Sequence, residues 1–213
     1  MQKINYGKKL EKLITNLNTV PRLMLHSCCA PCSSYVLEYL SRYFSIYLLY
    51  YNPNIAPMEE YERRRKELFN LISEMPFANE VKIIEEKYNP EFFYQVIKGL
   101  EEETEGGLRC MKCYEMRMKE AAIAAKENNC DYFTTTLSIS PMKDAQKIND
   151  IGERISEIYG VKHLPSDFKK KGGYKRSIEL SREYQLYRQD FCGCIFSKRQ
   201  RERQKEQLKD GSR

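Results

Sequence analysis

Short apolar runs alternate along this chain with longer stretches of helical spacing, and that alternation is what most limits its fold. "RLMLHS" after Pro21, "FSIYLLYY" ended by "NPN", "VKIIE", "YFTTTL" and the brief "VKHLP" read as strands. Between them, "PMEEYERRRKELFNLISEM" sets Tyr61, Leu68, Leu71, Ile72 and Met75 on one helical face, with Pro57 near its start. "NPEFFYQVIKGL" reads as a helix stopping near Gly99, and "CMKCYEMRMKEAAIAAKENN" as another. "DAQKINDIGERISEIYG" carries Ala145, Ile148, Ile155, Ile158 and Tyr159 at helical spacing and closes on Gly160. Strands and helices in this order predict an α/β chain with a parallel sheet covered on both faces. With 213 residues and neither repeat nor linker, one domain is expected. It would comprise an N-terminal helix over 1–20, an α/β core over 21–168, and a basic, helical C-terminal segment over 169–213.

In such sheets the working residues sit in loops at the carboxyl ends of strands. "LMLHSCCAPCSSY" occupies such a place: Cys28 and Cys29 leave the first strand, and Pro31 starts the next helix. Neither G-x-G-x-x-G nor a Walker lysine is present there. The turn that would cradle phosphates in a nucleotide-binding relative offers sulfur instead.

Seven of the eight cysteines fall into three groups, Cys28, Cys29 and Cys32, then Cys110 and Cys113, then Cys192 and Cys194. Cys130 stands alone and reads as a small buried hydrophobe. No run is long enough to span a bilayer, and the opening "MQKINYGKKLEKLITNL" reads as an amphipathic helix rather than a leader, so a cytoplasmic protein is expected. In that compartment clustered cysteines point to metal or redox work. Cys110 and Cys113 form a C-x-x-C at the mouth of a helix, where the helix dipole, Arg109 and Lys112 would favour thiolate. With Cys28 and Cys29 they supply four soft ligands, enough for zinc or for an iron–sulfur cluster. Adjacent Cys-Cys ligands suit the separated irons of a cubane better than one small tetrahedral ion. Cys32, one helical turn on, is left to bind a second metal, to contact substrate, or to replace one of the four. In "QDFCGCIF" the glycine lets Cys192 and Cys194 meet in a small, readily reduced disulfide ring, as a redox relay needs. Metal ligands or idle thiols are the alternatives. His26 reads as a satisfied histidine behind the ligands, and "RRR" at 63–65 as a solvated helix face.

From Lys169 onward the chain has 14 Lys and Arg against 6 Asp and Glu, a net of +8 in a chain whose total is +6. "KKKGGYKR" offers Lys169, Lys170, Lys171, Lys175 and Arg176 to phosphates and Tyr174 to a base.

Taken together, "LHSCCAPC", "YYNPNIAPMEEYERR", "RCMKCYEMR", "FTTTLSISPMKD" and "DFKKKGGYKRSIELSREYQLYRQDFCGC" resemble the epoxyqueuosine reductases of the QueH type, from about Leu23 to Cys194. The resemblance implies a Rossmann-like fold of the nucleotide alpha hydrolase kind. It implies reductive deoxygenation of epoxyqueuosine in the tRNA wobble position, the last step of queuosine synthesis, without cobalamin. It also implies a [4Fe–4S] cluster on Cys28, Cys29, Cys110 and Cys113, an adjacent mononuclear iron for which Cys32 is the candidate ligand, and a redox-active disulfide of Cys192 and Cys194. The partners implied are tRNA carrying epoxyqueuosine and an electron donor that the motifs do not identify. A non-catalytic, zinc-stabilised RNA-binding module would explain four cysteines and the basic tail but leaves C-G-C and Cys32 without a role.

Overall fold

The computed structural model describes residues 4–210, with the side chains of 209 and 210 left out. The first three residues of the expected N-terminal helix and the last three of the basic segment lie outside the described residues. Helix α1 (Tyr6–Thr15) starts at Asn5, whose side-chain oxygen accepts the Lys8 N–H at 3.0 Å and so satisfies one of the free donors of the first turn. The strands follow as β1 (Arg22–His26), β2 (Ser45–Tyr50), β3 (Val81–Glu85), β4 (Tyr132–Thr135) and β5 (Lys162–His163). The helices between and after them are α2 (Ala30–Leu40), α3 (Met58–Glu74), α4 (Pro90–Val96), α5 (Leu108–Glu127), α6 (Ala145–Tyr159), α7 (Gly173–Glu183) and α8 (Ile195–Asp210).

All five strands are parallel, in the order β3-β2-β1-β4-β5. The chain therefore runs outward from β1 through β2 to β3, then returns to the other side of β1. The expected α/β, Rossmann-like parallel sheet with helices on both faces is present, and the basic C-terminal segment is helical as α7 and α8.

Register explains why β1 is almost wholly apolar. Leu23 and Leu25 project into one core with Ile46 and Leu48 of β2, against Val36, Leu37 and Leu40 of α2 and Leu68 and Leu71 of α3. Met24 projects into the other core with Leu49 and Phe133, against Met118, Ala121 and Ala125 of α5 and Ile148 and Ile155 of α6. A strand buried on both faces needs apolar residues at successive positions, not alternate ones. Tyr61, Leu68, Leu71 and Met75 are buried as the helical spacing predicts. On α6 the stripe is Ala145, Ile148, Ile151 and Ile155, while Ile158 is 67% exposed, contrary to expectation. Ile158 lies about 80° around the helix from Ile148, at the margin of the buried face.

Gly152 lies on that face because a Cβ there would overlap the ring of His163 on β5. Gly152→Ala must push the ring or the helix away, and overpacking of this kind costs about 1–3 kcal/mol. Urea unfolding should show a lowered midpoint at unchanged slope; a native midpoint would mean that the contact relaxes freely.

Candidate functional site

The sheet changes direction at β1, so its carboxyl end opens between β2 and β4, the place where ligands enter open α/β sheets. Buried His26 closes the back of that opening. Its Nε2 lies 3.1 Å from the carbonyl of Tyr51, and its Nδ1 2.8 Å from Thr135 Oγ1. A carbonyl can only accept, so the proton sits on Nε2 and the Thr135 hydroxyl donates to Nδ1. Burial, and then the Arg117 guanidinium, pull its pKa down to about 3, so the ring is neutral and structural, as its sequence context suggested.

Immediately beyond, Cys29 is the N-cap of α2, with Pro31 in the first turn and the Ser33 N–H donating to the Cys29 carbonyl at 3.1 Å. The sulfurs of Cys28, Cys29 and Cys32 all lie within 4.8 Å of one another, with Cys28 and Cys29 3.8 Å apart. Cys28 also meets Thr136 Oγ1 at 3.6 Å, just past β4. Within the trio the thiols of Cys29 and Cys32 hold Cys28 well below the ordinary thiol range, helped by Lys143. Sharing with Cys28 pushes Cys29 up to about 12 and raises Cys32.

Cys110 and Cys113 lie in the first turns of α5, three residues apart and so on one face. They line a small cavity of about 10 Å³ together with Cys192, Cys194, Asn54, Phe93 and Tyr114. The structure thus brings seven sulfurs to one region, as a trio at the end of β1 and a quartet around the small cavity, with the expected foursome of Cys28, Cys29, Cys110 and Cys113 drawn from both. Cys28, Cys29, Cys113 and Cys194 nevertheless belong to one buried cluster, and Cys32 and Cys110 pack against it. The expectation of a thiolate helped by Arg109 and Lys112 holds only for the pull of Arg109. Burial raises Cys110, against the Gly106 N–H donating to its sulfur at 3.3 Å and against Arg109, and burial pushes Cys113 up to about 12, against Arg117. Arg109 also donates to the carbonyls of Glu101, at 2.7 Å, and Glu103, while Lys112 pairs with Glu115 at the surface.

All eight cysteines are unbridged. Cys194 directly precedes α8, and its sulfur accepts the Ser197 N–H at 3.4 Å. Gly193 has φ +128°, and a Cβ there would lie 2.9 Å from Ile55 and 3.0 Å from Arg64 Nη1, so the loop needs glycine for conformation and for space. The loop is held from the far side of the sheet. Arg64 of α3, 1% exposed, pairs with Glu60 at 2.6 Å and donates to the carbonyls of Cys192 at 3.0 Å and Phe191 at 3.4 Å. This corrects the reading of residues 63–65 as a solvated face at Arg64, while Arg63 is exposed and Arg65 lies at the surface. Arg63 stacks on Tyr187 with its guanidinium carbon 3.4 Å from the ring centre. The missed signal was the i, i+4 spacing from Glu60 on a helix whose apolar stripe includes Tyr61 and Leu68.

A cleft of about 430 Å³ opens over the trio, lined by Cys28, Cys32, Lys143, Tyr174, Arg188 and Arg201 among others. Cys192 lines both this cleft and the small cavity behind it. Half-buried Lys143 faces Cys192, Tyr114, Cys28 and Cys32, which raise its pKa against the cost of its burial. Sequence reasoning passed over Lys143 and Arg188, which stand outside the basic run. Of the residues named for phosphates, Tyr174 lines the cleft with Arg188 5.9 Å from its ring. Lys169 is bound to Asp167 at 2.8 Å and to the carbonyls of Ser138 and Lys143. Arg176 is bidentate on Glu38, and Lys171 pairs with Glu11. Lys170 and Lys175 are exposed.

Among the described residues no helix is long and apolar enough to cross a membrane. A family model described as epoxyqueuosine reductase QueH matches residues 23–200. The chain is 48% identical to the epoxyqueuosine reductase QueH of Staphylococcus epidermidis over 92% of its own length and 85% of that protein's. It is 42% identical to that of Streptococcus pyogenes over 92% and 79%, and 35% identical to that of Thermotoga maritima over 82% and 89%. A match of this extent, over a chain whose cysteines gather at the carboxyl end of a parallel sheet, places it by descent: the chain belongs to the QueH family of epoxyqueuosine reductases.

Proposed function

We propose that this chain reduces epoxyqueuosine to queuosine in the wobble position of tRNA, without cobalamin. The epoxide takes up two electrons and two protons, both C–O bonds break, a C=C bond forms, and the oxygen leaves as water. The observation that carries this reading is that Cys28 and Cys32 of the cysteine trio share one cleft with Cys192, Lys143, Arg188 and Arg201. The cleft volume suits a nucleoside-sized group.

The donor set fits a soft metal centre, because the close group at the strand end consists of thiols alone, without a carboxylate or imidazole ligand. Cys28, Cys29, Cys110 and Cys113 would hold a [4Fe–4S] cluster, with Cys32 beside an adjacent iron. Support comes from their common core and from the three helix starts, of α2, α5 and α8, where dipoles favour negative charge. Such a centre supplies single electrons and Lewis acidity.

The chain's own residues do the rest. Cys192 and Cys194 can give two electrons and two protons as they form a disulfide, and a separate electron donor restores the dithiol. Cys192 is the one placed for this, since it meets both the cleft and the inner cavity. Lys143 holds positive charge over Cys28, Cys32 and Cys192, where a departing oxygen needs a proton. Neutral His26 is unsuited to that role. Tyr174 and Arg188 form a wall on which an extruded base can stack, and Arg201 of α8 lies along the same cleft for phosphates. Lys170 and Lys175 are left as peripheral phosphate contacts, whereas Lys169 and Arg176 are engaged within the protein.

Protein purified without oxygen should be brown and contain about four irons and four sulfides per chain, with further iron for a second site. Stoichiometric zinc without sulfide would return the RNA-binding module to first place. Cys192→Ser should keep its iron and carry out no more than one turnover; loss of iron would make Cys192 a ligand. Arg64→Ala leaves the partly buried Glu60 without its partner and two carbonyls unmet, a loss of about 2–4 kcal/mol. It should also speed alkylation of Cys192 at least tenfold in the metal-free protein, and an unchanged rate would mean that Arg64 does not hold the loop.

A further inference from the structure

Three arginines are buried near the cysteines. Arg64 pairs with Glu60 and donates to two carbonyls, and Arg109 donates to the carbonyls of Glu101 and Glu103 although its Nε is unpartnered. Arg117 is the one that faces all three cysteine groups. It lies on α5 four residues after Cys113 and is 1% exposed. Its Nε donates to the Cys113 carbonyl at 3.2 Å, while its buried Nη2 has no hydrogen-bond partner. No carboxylate pairs with it among the described residues. A buried guanidinium without a counter-charge costs several kcal/mol, and native proteins avoid that state.

What faces Arg117 identifies the missing anion. The groups nearest in electrostatic terms are Cys113, Cys192 and Cys28, one or more from each of the three cysteine groups, and then Tyr114. Two of these sulfurs belong to the sets proposed above to hold the cluster, and neutral thiols would leave the cation uncompensated. A guanidinium cannot lose its proton to escape burial, so the compensating charge must come from cysteine thiolates, which metal binding keeps deprotonated.

We infer that Arg117 is the built-in counter-charge of the metal–thiolate centre and sets its reduction potential. The inference rests on the cluster reading above. Reduction adds one electron, with no bond broken, and so makes the centre more negative. A fixed cation in a low-dielectric site therefore favours the reduced state. Arg117 is a positioning residue: it meets no substrate, and it acts through the centre.

The test is a dithionite titration of oxygen-free, iron-loaded protein followed by electron paramagnetic resonance, in wild type, Arg117→Gln and Arg117→Lys. Iron and sulfide are measured in each sample. Arg117→Gln should retain the wild-type iron and sulfide but be at least tenfold harder to reduce, a midpoint lower by 59 mV or more for one electron. Arg117→Lys keeps the charge and should stay within threefold of wild type. An unchanged midpoint in fully loaded Arg117→Gln would overturn the inference, as would an equal shift in both variants, which would point to packing instead of charge. If Arg117→Gln does not accumulate, Arg117→Lys decides alone: a midpoint within threefold supports the inference, and a tenfold shift rejects it. Wild-type protein without acid-labile sulfide would instead overturn the cluster reading, whatever the variants do.

Discussion

Everything at this site depends on the reversal of chain direction about β1. With β2 on one side and β4 on the other, the end of β1 must be closed on both flanks before anything can be built upon it. His26 does this through two directional hydrogen bonds, one to the segment after β2 and one to the end of β4. The bond to Thr135 gains further definition because that hydroxyl also accepts the Leu137 N–H. A neutral ring serves better than a charged one here, since an imidazolium could not accept from Thr135 and would be buried within the field of Arg117.

Upon that base the protein solves a problem of solvation. Thiols are small enough to bury, but burial opposes the thiolate that metal or redox chemistry needs. Two devices work against the opposition. Helix starts present free N–H groups near the sulfurs, and cations are brought in on separate elements, Arg117 from α5 and Lys143 from the loop before α6. Cys28 alone of the trio is held below the ordinary thiol range, chiefly by the thiols of Cys29 and Cys32 and with help from Lys143. Each sulfur group arrives on a different segment, so the balance can be tuned at one group without rebuilding the others.

Much of this was legible in the residues. The strands could be read from runs such as "RLMLH" and "SIYLLY", because a strand buried in a parallel sheet needs continuous apolar sequence. Cysteine spacing gave the three groups, since C-x-x-C on a helix and C-G-C in a turn are local patterns. How those groups divide in space was not legible, because it depends on where α5 and α8 end up relative to β1. Charge misled for a related reason. Arg64 and Arg65 are adjacent and alike in sequence, yet one is buried against the C-G-C loop and the other reaches Glu85 at the surface. Helix rotation separates them by about 100°. The basic run at 169–176 was equally ambiguous: Arg176 answers Glu38 on α2, a contact across 138 positions that no local pattern reveals.

The tie between Arg64 and the Cys192 carbonyl spans 128 positions. As the chain leaves the ribosome, Cys28, Cys29 and Cys32 emerge well before the segment that completes their surroundings. Closing so long a loop is a late event on entropic grounds. A nascent chain therefore holds several exposed thiols until that later segment appears. The site can be completed only after that segment is made, and any oxidant that reaches the growing chain before then finds the trio unprotected.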